Sequence, residues 1–219
     1  MTIAEHALAM VSDGQVLGLG TGRAATDFVK ALGQRVRAGL RVRGVPTSQT
    51  TADLAKQLGI PLTTLAEIAE LDIAFDGADE VDPQLRLIKG WGGALVREKI
   101  VAASARRFVV LVGEEKEVPV LGSRGKLPVE VVPFGVDLVK RRLRTMGYAC
   151  EIRQHQGGPF VSDNGNWILD VKVQGIPEPL TLEASLRAIP GVVGTGLFLD
   201  MADTVLIQRP GSVEERKRS

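Results

Sequence analysis

A chain of 219 residues, 44% apolar and 24% charged, has enough of each to bury a core and stay in solution, as one large domain or two small ones. Its net charge of +1 excludes a general pull towards nucleic acid or anionic membrane, and its single cysteine, Cys150, excludes an internal disulfide and fits a reducing compartment. His6 and His155 lie far apart without ligand spacing, no apolar run reaches membrane-spanning length, and MTIAEHALAMV carries Glu5 and no basic stretch; no zinc site, membrane span or signal peptide is expected, and the cytoplasm is the default.

Residues 3–12 have the spacing of a short amphipathic helix ending near Asp13-Gly14. Residues 15–19 read as a buried strand running into GLGTGRAAT at 18–26, and helical spacing resumes over 24–36. Strand, glycine turn and helix start leave backbone N–H groups free to hold an anion. The dinucleotide fingerprint needs a glycine where Arg23 stands and an acid about twenty residues on. Neither is there, and the P-loop pattern is absent too. Taken alone, these glycines need only serve a tight turn. Residues 41–45 give a second strand, followed by the hydroxyl-rich Pro46-Thr47-Ser48-Gln49-Thr50-Thr51 and a helix to Leu58. Ser48 or Thr47 suits its N-cap, and the same hydroxyls could line a phosphate or sugar pocket. A short strand or turn is expected over 59–62 and a helical turn over 65–70.

The apolar run 72–75 is a short buried strand with Asp76 at its carboxyl end. Asp76, Asp79, Glu98 and Lys89 are set around the glycine-rich turn of Gly90, Gly92 and Gly93, and residues 94–105 have helical spacing with Glu98 on the second turn. Carboxylates, an ammonium and free amides at a strand end point to acid–base chemistry on a small polar substrate. A solvated acidic turn would explain DGADEVD by itself, but not the set that includes Lys89 and Glu98. Residues 107–112 are a clear buried strand. Strands alternating with helices argue a doubly wound, mostly parallel α/β sheet, which binds ligands beyond the strands' carboxyl ends.

Gly122, Gly125, Pro128 and Pro133 then mark a connector over 126–134. A helix (136–146), strands (148–153 and 166–173), a helix (180–189) and a strand (192–199) follow, the order of a small ferredoxin-like α+β unit. Residues 204–208 form a last apolar strand returning to the first sheet, and the charged tail 214–219 reads as frayed. The expected organisation is an α/β catalytic domain of residues 1–125 plus 202–219, with a small α+β domain over 126–201.

Taken together, the stretches GLGTGRAAT at 18–26, DGADEVD at 76–82, KGWGGALVREK at 89–99, LPVEVVPF at 127–134, DNGNWILDV at 163–171 and IPGVVGTGLF at 189–198 resemble ribose-5-phosphate isomerase of the A type, in order and over nearly the whole chain. The resemblance implies interconversion of ribose 5-phosphate and ribulose 5-phosphate with no metal and no organic cofactor. By it, Glu98 matches the family's proton-transferring glutamate, and Asp76, Asp79 and Lys89 match residues at the reacting carbons. It further places Thr21, Gly22, Arg23 and Ala24 in the first substrate loop. Gly77 and Ala78, then Gly90, Trp91 and Gly92, fall in the other substrate-binding stretches, with Lys116 as a further binding lysine. The only partners it implies are the sugar phosphate and further copies of the chain, as a homodimer or homotetramer; nucleic acid and membrane are not among them. The chain departs from the family at Arg23-Ala24, where Ser-Thr is common, and at Trp91, which interrupts a glycine run.

Such chemistry moves a proton between adjacent carbons through an enediolate. One carboxylate can shuttle it when burial or like charges raise its basicity, typically giving about 10²–10⁴ in rate. Asp76 and Asp79 would supply like charges, Lys89 the opposite one, and either aspartate could assist ring opening. Two other readings fit the same fold: a non-catalytic sugar-phosphate sensor, which would not need the carboxylate–lysine set, and an acyl-CoA-type transferase with Glu98 as nucleophile.

Overall fold

Strands that are buried along their whole length belong inside a sheet covered on both faces. Val16–Leu19 is buried at every position, and Ile73–Gly77 and Phe108–Gly113 at every position but the last. The computed structural model describes residues 2–218; Met1 and Ser219 lie outside them. The first half of the chain forms α1 (Ile3–Leu8), β1 (Val16–Leu19), α2 (Arg23–Arg37), β2 (Arg43–Pro46), α3 (Gln49–Gln57), β3 (Ile73–Gly77), β4 (Glu80–Val81), β5 (Leu87–Ile88), α4 (Leu95–Ala103) and β6 (Phe108–Gly113). There follow β7 (Lys126–Val131), α5 (Val136–Thr145), β8 (Cys150–Ile152), β9 (Gln154–His155), β10 (Gly158–Pro159), β11 (Trp167–Lys172), α6 (Pro179–Arg187), β12 (Val192–Thr195), β13 (Leu197–Phe198), β14 (Thr204–Arg209) and β15 (Ser212–Lys217). The chain packs as two compact units, Met1–Ala78 with Arg97–Lys116 and Met201–Ser219, and Asp79–Val96 with Glu117–Asp200.

The first unit is the doubly wound α/β sheet, in the order β15-β14-β6-β3-β1-β2. All neighbours run parallel except β15, which pairs antiparallel with β14. The chain leaves β1 for β2 on one side and returns to β3 on the other, so the winding reverses between β1 and β3, where such sheets bind ligands. Gly18 makes the close packing of β1 possible: a Cβ there would lie 2.6 Å from Val101 and 2.7 Å from Ala74. Phe28 of α2 and Phe75 of β3 meet with ring centroids 4.3 Å apart at the centre of the core. Thr2 and Glu5 form a capping box on α1, and Ser48 Oγ accepts the Thr51 N–H at the start of α3.

The second unit contains the four-stranded antiparallel sheet β12-β7-β11-β8, with α5 following β7 and α6 following β11. This is the βαββαβ order of a ferredoxin-like unit. Leu127, Val129 and Val131 turn one face of β7 into the core with Val139, Leu143, Leu169 and Leu186. On the other face Glu130 is wholly buried, and its Oε1 accepts from Ser162 Oγ, Asn164 Nδ2 and Asn166 Nδ2 at 2.9–3.0 Å. A separate three-stranded sheet, β13-β5-β4, and the hairpin β9-β10 complete the unit.

Several elements differ from the sequence reading. The expected connector over 126–134 contains β7, an interior strand of its sheet. The tail expected to fray instead forms β15, a charged edge strand. The helical turn expected over 65–70 is a non-helical turn, and α1 is shorter than its expected range. Packing also draws residues 79–96 and 117–125 into the second unit, because β4 and β5 pair with β13 and the Glu80 carboxylate accepts the Gly122 and Arg124 N–H groups at 2.6 and 2.9 Å.

Candidate active site

In the first unit the site grows from the carboxyl ends of β1, β2 and β3. Asp76, 2% exposed, is the penultimate residue of β3, and its Oδ1 accepts the N–H groups of Thr21 at 3.0 Å and Gly77 at 2.7 Å. The approach requires glycine at position 20, where a Cβ would stand 2.4 Å from the Asp76 carboxyl carbon. Thr21 Oγ1 joins Thr47, Ser48 and Thr51 in a hydroxyl cluster spanning 2.7–3.2 Å. The hydroxyl-rich stretch thus buttresses the first glycine turn. Gly22 caps α2 at φ +102° with no side-chain hydrogen bond, and no acid stands in the first turn of α2. The first-turn amides of that helix meet no competing anion of their own.

Arg23 and Ala24 open α2. The Arg23 guanidinium is exposed and donates to Glu115 Oε1 at 3.0 Å, next in sequence to Lys116 on the 3₁₀ turn Glu114–Lys116. Glu98, 4% exposed, closes the first turn of α4, where its spacing predicts the second turn.

The second unit carries Asp79, Lys89 and the turn of Gly90, Trp91, Gly92 and Gly93. Asp79 donates its N–H to the Ile88 carbonyl at 2.8 Å, and its Oδ2 accepts the Trp91 N–H at 2.9 Å. Lys89 directly follows β5 and is 2% exposed. Its N–H donates to the Gly196 carbonyl, and its ammonium stands 5.5 Å from the Phe198 ring centroid. The turn closes through a Gly93 N–H to Gly90 carbonyl bond, with φ of +100° at Gly90 and +92° at Gly93. The Arg124 and Lys126 cations stand over the Trp91 ring, 5.7 and 4.9 Å from its centroid. Arg124 also donates to the Asp79 carbonyl at 3.2 Å.

The other acids of DGADEVD serve the fold. Glu80 holds the 122–124 loop, and Asp82, 1% exposed, accepts from the Arg86 side chain and from the Gln84 and Arg86 amides. Sequence reasoning missed Arg124 and Arg153, because isolated arginines on connecting segments carry no motif. Among the described residues no three His, Cys, Asp or Glu side chains are grouped as metal ligands would be, and no helix is long and apolar enough to cross a membrane. Burial pushes the Cys150 thiol above its ordinary pKa, in keeping with a packing role.

The family model for ribose 5-phosphate isomerase A (phosphoriboisomerase A) matches residues 43–211. The chain belongs to the ribose-5-phosphate isomerase A family. It is 55% identical over 215 residues to ribose-5-phosphate isomerase A of Roseiflexus sp. (strain RS-1), covering 97% of this chain and 92% of that one. The solved ribose 5-phosphate isomerase A of Methanocaldococcus jannaschii superposes with a TM-score of 0.94 at 46% identity, covering 98% of this chain and 96% of that one. A D-ribose-5-phosphate isomerase solved in complex with phospho-erythronic acid gives a TM-score of 0.95 at 40% identity, covering 99% and 96%. The isomerase family thus accounts for both units of the chain.

Proposed function

We propose that the chain interconverts D-ribose 5-phosphate and D-ribulose 5-phosphate through an enediolate, with Glu98 as the proton shuttle. The Glu98 carboxylate takes the C2 proton; the C2–H electron pair becomes the C1–C2 double bond, and the carbonyl electrons move onto O1. A proton passes from O2 to O1, and Glu98 returns the carbon-bound proton to C1. Lys89 stabilises the oxyanion, worth about 10²–10³ in rate for one donor. One aspartate of the pair Asp76 and Asp79 accepts the anomeric hydroxyl proton to open the sugar ring. Thr21, Gly22, Arg23 and Ala24 hold the phosphate chiefly through backbone amides at the start of α2, with Lys116 nearby in the same unit. Gly77 and Ala78, and Gly90, Trp91 and Gly92, line the path of the sugar.

The observation that carries this reading is the whole-length likeness to the isomerase solved with phospho-erythronic acid. That ligand pairs a phosphate with a planar carboxylate, the shape and charge of an enediolate. The chain further works as a homodimer or homotetramer in the cytoplasm, without metal or organic cofactor. The test is conversion of ribose 5-phosphate to the ketose by the purified protein with and without chelator. Equal turnover in both is expected; loss on chelation, restored by one divalent ion, would overturn the cofactor-free mechanism. Sedimentation at equilibrium reads the assembly, and a monomer mass would contradict it.

A further inference from the structure

The turn carrying Lys89 is gripped from outside by a residue far away in sequence. Arg153, between β8 and β9, has a side chain only 11% exposed. Its Nε and Nη2 donate to the two carboxylate oxygens of Asp170 at 3.0 and 2.5 Å. Its Nη1 donates to the carbonyls of Gly90 and Trp91 at 2.9 and 3.0 Å. The fork-to-carboxylate pair fixes the plane of the guanidinium, so the remaining nitrogen is aimed rather than free to swing. The peptide joining Gly90 to Trp91 is consequently held at both ends, its oxygen by Arg153 and its N–H by Asp79. The next peptide is held by its oxygen, which turns the Gly92 N–H away from Arg153, because the two groups of a trans peptide point in opposite directions. Phe160, whose N–H donates to the Arg153 carbonyl, covers Gly93, where a Cβ would lie 2.4 Å from its ring.

We propose that Arg153, locked by Asp170, is a positioning residue for the isomerisation: it sets the Gly90–Trp91 and Trp91–Gly92 peptide planes, the second and third after Lys89, and its effect on the rate passes through that lysine. The proposal rests on the reading of Lys89 as the group that stabilises the enediolate. A misplacement of about 1 Å at a reacting group can cost roughly a hundredfold, so a loosened turn has room to be felt.

A double-mutant cycle on the full chain decides it. Arg153→Met is expected to lower kcat by roughly ten- to a hundredfold while inhibition by inorganic phosphate is unchanged. Arg153→Lys keeps the charge but not the fork and should recover only part of the rate. In a Lys89→Ala background, Arg153→Met should change kcat by less than about twofold, since the group it positions is gone. An undiminished effect in that background, or an unchanged kcat in the single variant, overturns the proposal while the role of Lys89 stands. If Lys89→Ala alone keeps the parental rate, the reading of Lys89 fails and the proposal falls with it. Should Arg153→Met not fold, Arg153→Lys carries the same cycle.

Discussion

The chain has two glycine turns that lead into helices, and they are built in opposite ways. The turn after β1 is anchored at one end, where Gly20 lies against Asp76, and open at the other, where Gly22 is exposed and the amides of α2 have no side-chain cap. The turn after β5 is held at its sides: Asp79 takes one amide, Arg153 takes two carbonyls, and Lys89 before it is buried. An open amide end suits a phosphate, which the backbone can hold whichever side chains stand nearby. Proton transfer needs groups fixed to within fractions of an ångström, and on the function proposed above a gripped turn suits that need.

The largest effect expected from breaking this division is at the reacting end. Glu98→Gln keeps size and hydrogen bonding but removes the base, so kcat should fall by about 10²–10⁴ with folding and phosphate inhibition retained. Steady-state kinetics with ribose 5-phosphate measure it; a rate within about tenfold of the parent would remove Glu98 as the shuttle. Next comes the anchored end of the first turn. In Gly20→Ala the new methyl meets Asp76, which sits in a strand hydrogen-bonded on both sides and has nowhere to move. A loss of about 1–3 kcal/mol is expected in urea unfolding, accompanied by loss of activity. A parental unfolding midpoint would show that the anchor is softer than it looks.

Part of this contrast was legible in the sequence. Ile73, Ala74 and Phe75 announce a buried strand, and a strand that ends in Asp76 can only present that carboxylate at the sheet's carboxyl edge. What escaped was decided by partners distant in sequence. Pro128 made β7 look like a connector, since proline lacks a donor and is scarce in interior strands; here its carbonyl accepts the Gly196 N–H and the strand continues. The charged run of β15 looked like a frayed end, yet charge is how an exposed sheet edge resists further pairing, and Glu214 with Arg209 and Arg216 forms a surface cluster along it. The grip of Arg153 on the 90–91 carbonyls spans some sixty residues and leaves no local pattern at all. Glu98 falls on the first turn and not the second because α4 begins at Leu95, one residue after the expected start.

The smallest effect expected is at the open end of the first turn. Arg23 donates to Glu115, with the two side chains 83% and 48% exposed, and such surface pairs contribute about 0.2–1 kcal/mol. A charge-assisted hydrogen bond to phosphate is worth about 1.5–3 kcal/mol, so if Arg23 serves the phosphate as proposed, the arriving ligand should draw the guanidinium away from Glu115. The difference sets the outcome: Arg23→Ala should raise KM by about 1–2 kcal/mol in equivalent terms, roughly five- to thirtyfold. The kcat should change less, because a phosphate remote from the reacting carbons is held alike in ground and transition states. Glu115→Gln removes the competitor and should lower KM, by no more than about fivefold. Opposite shifts in the two variants tie Arg23 to the phosphate; an unchanged KM in both leaves the α2 amides holding it alone.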